Sequence, residues 1–240
     1  MQLVSSPPAA ASDAELEREL KFLLPGARSA SALPLLRLVC RPDPKYPSTI
    51  VSTIYYDTPG LQLLSEKLDS DFLKVKVRLR WYAPGPGREG AGASFLEIKS
   101  RVGSLRTKAR VETPLQAAWL DRASLEAREL LDVLELVRPL GITVPAPLMP
   151  ALLVRYARHR FVEPVSGTRV SLDTDIESPR ARRGLFRGAA AARIPGAVLE
   201  VKGTTPELPR ALRPLVHLGA RRASFSKYAV AAQEVLRTVR

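Results

Sequence analysis

The chain has 240 residues, 45% of them hydrophobic, and one cysteine, Cys40, so it can bury a sizeable core but form no internal disulfide or thiolate metal site. Lys and Arg number 37 against 24 Asp and Glu, a formal charge of +13, which points to an anionic partner: phosphate chains, nucleotides, nucleic acid or an acidic membrane face. No apolar run reaches the roughly 18 residues of a membrane span, and MQLVSSPPAAASDA lacks the basic start and apolar core of a secretion signal. Residues 1–14 are therefore expected to be a disordered leader, and residues 15–240 a single domain in a cytoplasmic protein. Cys40, after the run LPLLRLV, reads as a small buried apolar residue.

Period two, the signature of strands, dominates the chain from Glu15 onward. In ELERELKFLL, Glu15, Glu17, Glu19 and Lys21 alternate with Leu16, Leu20 and Phe22, and Arg18 breaks the pattern. TIVSTIYYD (49–57) is a second strand, and TPGLQLLSEKL opens a helix near Thr58. In FLKVKVRLRWY (72–82), Lys74, Lys76, Arg78 and Arg80 point one way while Val75, Val77, Leu79 and Trp81 point the other. SFLEIKSRV (Glu97, Lys99, Arg101) and TKARVET (Lys108, Arg110, Glu112) repeat the grammar. Residues 115–138 carry leucines at helical spacing. VRYARHRFV (Tyr156, Arg158, Arg160), TRVSLDTDI (Arg169, Ser171, Asp173, Asp175) and AVLEVKG (Glu200, Lys202) bring the count to about eight strands. The Pro, Gly and Ala-rich stretches 83–93 and 179–196 read as connecting loops, and 226–240 as a closing helix.

A single charge-alternating strand is usually half of an ordinary solvated sheet. Cations in register on several strands are different, because they repel one another unless an anion or paired carboxylates compensate them. The expected fold is therefore α+β: a closed antiparallel eight-stranded β-barrel, or tunnel, with a polar, basic lumen and helices packed outside. An outer-membrane barrel would need longer strands and aromatic girdles. Glu17, Glu19, Glu97, Asp173, Asp175 and Glu200 fall in phase with the cations. They suit Mg²⁺ or Mn²⁺ bridging phosphate oxygens, or salt bridges to neighbouring Lys and Arg. Salt bridging is favoured for Glu97 and Asp175, and both readings stay open for Glu19 and Glu200. Ser226 and Lys227 stand at a helix start, where backbone N–H groups and the ammonium could meet a phosphate together. Trp81 and Trp119 read as packing residues, His159 and His217 lack ligand spacing, and no Walker-type loop is present.

The ordered set Glu17-x-Glu19-x-Lys21, STIYYDT (52–58), KVRLRWY (76–82), FLEIK (95–99), Tyr156-x-Arg158, RVSLDTD (169–175), VLEVK (198–202) and SFSKY (224–228) resembles the vacuolar transporter chaperone (VTC) domain. That family of polyphosphate polymerases lies within the triphosphate tunnel metalloenzyme (CYTH-like) superfamily, and the resemblance spans Glu15 to Val235. It implies a tunnel enzyme that transfers the terminal phosphoryl group of ATP to a growing inorganic polyphosphate chain with Mn²⁺ or Mg²⁺. It implies that Lys21, Arg78, Arg80, Lys99, Arg158, Arg169 and Lys227 contact phosphate, that Tyr156 and Ser226 assist, and that Glu200 is the main metal ligand. Lys76, Lys108 (or Arg110) and Lys202 are further substrate-binding candidates, and Glu19 a second metal candidate. The family's lysine three residues before Lys227 is here Ser224, which leaves Arg221 or Arg222 as substitutes. A metal-dependent tripolyphosphatase or nucleoside triphosphatase, and a non-catalytic binder of polyphosphate or RNA, are the competing readings. Nucleic acid is not the expected partner; any export of product through a membrane would need a second protein.

Overall fold

Side chains that alternate in polarity give a sheet two unlike faces, and the strands of this chain share one sheet on that basis. The computed structural model describes residues 18–69, 72–84, 92–103, 105–187 and 191–237, so the expected leader 1–14 lies outside the described residues. In chain order the strands are β1 (Arg18–Leu24), β2 (Arg41–Pro42), β3 (Ser48–Asp57), β4 (Leu73–Pro84), β5 (Ser94–Val102), β6 (Leu105–Thr113), β7 (Met149–Val162), β8 (Arg169–Ala181), β9 (Ala192–Ile194), β10 (Ala197–Gly203) and β11 (Arg221–Arg222). They pair antiparallel in the order β11-β1-β10-β8-β7-β3-β4-β5-β6, with β2 added to β7 and β9 to β8.

The sheet is not the closed eight-stranded barrel expected from the alternation. It has 11 strands because β2, β9 and β11 add two or three residues each to eight long ones, and it is open. β6 ends the ladder on one side and β11 on the other. Two features keep the ends apart. Arg221 and Arg222 pair with Leu23 and Phe22, covering part of the β1 edge that β6 would have to reach. Lys21 on one lip faces Arg106 and Lys108 on the other across a common cleft, and like charges resist a closed seam.

The apolar face carries two cores. Val75, Val77, Leu79 and Trp81 of β4 pack with Leu120, Leu130 and Val137, while Leu20 and Phe22 of β1 pack with Leu36, Leu212 and Leu215. Helices cover that face, as expected, although the segment 115–138 is not one helix. It breaks into Ala117–Leu120, Glu129–Asp132 and a 3-10 run Val133–Leu140 that contains Pro139, whose ring cannot continue a regular helix. The stretch 179–196 also departs from a plain loop, since β8 runs to Ala181 and β9 pairs with it. No helix among the described residues is long and apolar enough to cross a membrane.

A third core lies on the charged face. Val51, Tyr55, Tyr156 and Val198 share the alternation of Thr53, Arg158 and Glu200, and cluster with Tyr228, Ala231, Ala232 and Val235 of the C-terminal helix Lys227–Arg237. That helix fills one part of the face and leaves the rest open. It is held by the motif at the end of β3. Tyr55 stacks on Tyr228 with ring centroids 5.0 Å apart, and the Tyr228 hydroxyl donates to Asp57 Oδ2 at 2.5 Å. Asp57, fully buried, also accepts from the first-turn amides of the helix Gln62–Leu68, at 2.8 Å from Leu63 and 3.0 Å from Leu64. Such capping is worth about 1 kcal/mol and fixes where that helix begins. The motif STIYYDT thus anchors two helices around the charged face.

Candidate functional site

Register brings the cations of β4, β5 and β6 into rows. Arg78 lies opposite Glu97, and Glu97 opposite Arg110; one step along, Lys76 lies opposite Lys99 and Lys99 opposite Lys108. A further step gives Lys74, Arg101 and Arg106. Successive rows are about 7 Å apart along the strands, and neighbours within a row about 5 Å.

The first row is paired internally. Glu97 is 3% exposed; its Oε2 accepts from Arg78 Nε at 2.8 Å, with Arg78 Nη2 at 2.6 Å and Arg80 Nη1 at 3.6 Å, while Oε1 lies 3.8 Å from Arg110 Nε. Burial alone would raise its pKa, but Arg78, Arg80 and Arg110 outweigh burial and hold it down at about 2. The next two rows have no such partner: among the described residues, Lys74, Lys76, Lys99, Arg101, Arg106 and Lys108 make no ion pair. They line a cleft of about 700 Å³ together with Lys21, Lys67 and Arg222, a volume typical of ligand sites. Burial, reinforced by the surrounding cations, lowers Lys76 and Lys99 from 10.5 to about 8.

A second paired cluster is built from β7, β8, β10 and the C-terminal helix, with Lys21 of β1 joining it to the cleft. Asp173 of β8, with no exposed surface, accepts two hydrogen bonds from Arg158, at 2.6 and 2.7 Å, and one from Lys227 Nζ at 2.5 Å. Glu200 of β10 receives Arg158 Nη2 at 3.1 Å, Lys227 Nζ at 3.5 Å and Lys21 Nζ at 3.8 Å. Burial opposes charge on each of these groups. Mutual attraction wins, so both carboxyls sit below and Lys227 above their ordinary ranges. The Lys227 ammonium also lies 4.6 Å from the centre of the Tyr156 ring, with the Arg158 guanidinium 5.4 Å from it. Ser226 caps the helix through Ala229 N at 3.4 Å.

Of the expected site residues, Lys21, Lys76, Lys99 and Lys108 line the cleft, while Arg158, Lys227 and Glu200 cluster with Asp173, and Arg78 and Arg80 with Glu97, outside its lining. Glu19 lies 3.3 Å from Lys21 at the cleft. Arg110 covers the Phe95 ring at 3.6 Å and faces Glu97, so Lys108 rather than Arg110 lines the cleft. Arg169 and Lys202 are register partners on β8 and β10, with Lys202 also opposite Glu19, but neither lines the cleft. Trp81, fully buried on the other face, donates to Asp121 at 3.0 Å and Cys40 is buried, both as expected.

Asp173, which the alternation leaves open as a metal ligand or a salt-bridge partner, forms ion pairs here and joins Arg158 to Lys227. Arg106 needed only one further step back along the alternation from Lys108. Lys67 left no strand signal, because it reaches the cleft from the helix Gln62–Leu68 and donates to Ser224 Oγ at 3.3 Å. Of the two arginines expected to stand in for Ser224, Arg222 lines the cleft and Arg221 does not.

Glu19 and Glu200 are the carboxylates that suit a divalent cation. Both converge on one position, now held by Lys21 Nζ at 3.3 and 3.8 Å, and both present hard oxygen donors. Among the described residues no group of three or more His, Cys, Asp or Glu could hold a metal by itself, so phosphate oxygens would complete the shell. Glu17 lies outside the described residues.

The solved structures similar to the chain include three proteins at low identity. A Pyrococcus horikoshii protein is 19% identical, with 93% of this chain and 99% of that one covered and a TM-score of 0.47. A candidate adenylate cyclase from Vibrio parahaemolyticus is 14% identical, with coverage of 90% and 97% and a TM-score of 0.46. Another from Bacillus halodurans is 18% identical, with coverage of 88% and 93% and a TM-score of 0.45. No curated protein matches the chain. A family model for the VTC domain matches residues 13–236, nearly the whole length, and the chain belongs to the VTC domain family.

Proposed function

We propose that this chain is a polyphosphate polymerase, transferring the terminal phosphoryl group of ATP to a growing inorganic polyphosphate chain. Family membership supports a polyphosphate- or triphosphate-related function. The observation that carries the finer reading is the contrast inside the charged face: beside two internally paired clusters lie rows of cations that make no ion pair among the described residues. A phosphate chain is the ligand whose repeating charge matches repeating rows of Lys and Arg.

Phosphoryl transfer asks a protein mainly to hold two oxygens in line and neutralise charge on the transferring group. Here Lys21, Arg158 and Lys227 would bind the nucleotide phosphates together with Arg78, Arg80 and Lys99. Their carboxylate partners hold the guanidinium groups in place beforehand, so little reorganisation accompanies reaction. Tyr156 supports the Lys227 ammonium from below. Lys76 and Lys108 would guide the acceptor chain, and Arg169 and Lys202 would extend the basic wall. Glu200 and Glu19 would hold Mn²⁺ or Mg²⁺, which would supply further neutralisation of phosphate charge.

Purified protein incubated with ATP and Mn²⁺ or Mg²⁺ should yield a long polymer, resolved by gel electrophoresis. Orthophosphate and ADP alone would replace polymerisation by hydrolysis. Loss of metal-dependent turnover in Glu200→Gln is the second expected result; unchanged turnover would remove the metal role.

A further inference from the structure

The cations of the charged face divide by whether a carboxylate of the protein pairs with them. Arg78, Arg80 and Arg110 share Glu97, and Arg158, Lys227 and Lys21 share Asp173 and Glu200. Two steps along β4 from Arg78, the row Lys74, Arg101 and Arg106 has no ion-pair partner among the described residues. Lys67 joins this row from the helix Gln62–Leu68, and its hydrogen bond is to a neutral hydroxyl, Ser224 Oγ. Within the same row the Arg101 Nε is buried and has no hydrogen-bond partner among the described residues. An orphaned guanidinium donor beside three further cations is costly unless a ligand oxygen meets it.

We infer that Lys67, Lys74, Arg101 and Arg106 form an outer subsite, about 13 Å along the strands from the Arg78 row, that holds phosphates of a long chain beyond its reacting end. The inference rests on reading the cleft as a phosphate-chain site. It adds that the grip on the distant part of the chain is cationic and needs no metal, since among the described residues no carboxylate pairs with these four side chains, and Glu19, the carboxylate lining the cleft, lies beside Lys21. It also makes Lys67 a substrate-binding residue and predicts that affinity depends on chain length. A phosphate chain fits this subsite better than RNA. Phe225 is the one aromatic residue among the described cleft residues, and Phe95 is covered by Arg110, so bases would find little to stack on.

The test is direct binding in a metal chelator without ATP, with inorganic polyphosphate of about one hundred phosphates and tripolyphosphate as separate probes. Lys67→Ala and Arg101→Ala should each weaken the long chain roughly tenfold, the worth of one charge-assisted hydrogen bond, and tripolyphosphate less than about twofold. Lys67→Arg should retain long-chain affinity, which separates lost charge from damaged packing. Equal weakening of both probes, no weakening of either, or an RNA oligonucleotide that displaces polyphosphate at equal concentration would overturn the inference. Because no turnover is measured, a chain that makes no polymer but keeps the length dependence would remove the polymerase reading and leave the subsite standing.

Discussion

The two ends of strand β4 use the same residue types in opposite ways. Around Arg78 and Arg80 the protein supplies its own anion, Glu97, just as it supplies Asp173 and Glu200 to Arg158 and Lys227. Around Lys74 and Lys76 no ion pair forms among the described residues, and cation faces cation across three strands. Paired groups are oriented and contribute to the fold, whereas unpaired rows weaken the fold and are offset only by a ligand. Removing a charge should therefore have opposite effects in the two regions.

The largest effect belongs to Asp173. Asp173→Asn leaves Arg158 and Lys227 buried with half their partners, and should cost about 3–5 kcal/mol of stability in chemical denaturation. Glu97→Gln comes next, at about 1.5–3 kcal/mol, with a pH signature. The Glu97 pKa is depressed from 4.5 to about 2, so its stabilisation is complete above pH 4.5 and is lost as pH falls through 2. Wild type should weaken across that interval more than the variant does.

The lysine rows carry the reverse sign. Lys76 and Lys99 fall from 10.5 to about 8 in the fold, so stability should rise as pH climbs from 8 to 10.5, while anion affinity declines through the same range. Replacing both by arginine should abolish the decline, measured as tripolyphosphate affinity at pH 7 and pH 9.5. The smallest effect is Ser226→Ala, about 0.5–1 kcal/mol, because the capping bond to Ala229 is long at 3.4 Å. A larger loss would mean that Ser226 does more than begin a helix.

Much of this contrast is legible in the sequence. Period two assigns Lys76, Arg78, Lys99, Arg158 and Glu200 to one face because side-chain direction in a strand is a local property. Closure is not legible, since it depends on whether two distant edges meet, and the two-residue strand Arg221–Arg222 that covers β1 carries no periodic signal. Lys67 escapes for a related reason: a helix brings it to a cleft made of strands. Asp173 shows its direction in the sequence but not its partners, which come from β7 and from the C-terminal helix.

The central claim is that the unpaired rows are built for a phosphate chain and not for the fold. The direct measurement is calorimetric titration of tripolyphosphate, in a chelator, into wild type and into the double variant Lys76→Ala/Lys99→Ala, with thermal melting of both proteins. The account predicts roughly hundredfold weaker binding by the variant and a melting temperature that is unchanged or higher. Undiminished affinity, or a variant that binds weakly only because it has lost its fold, would contradict it.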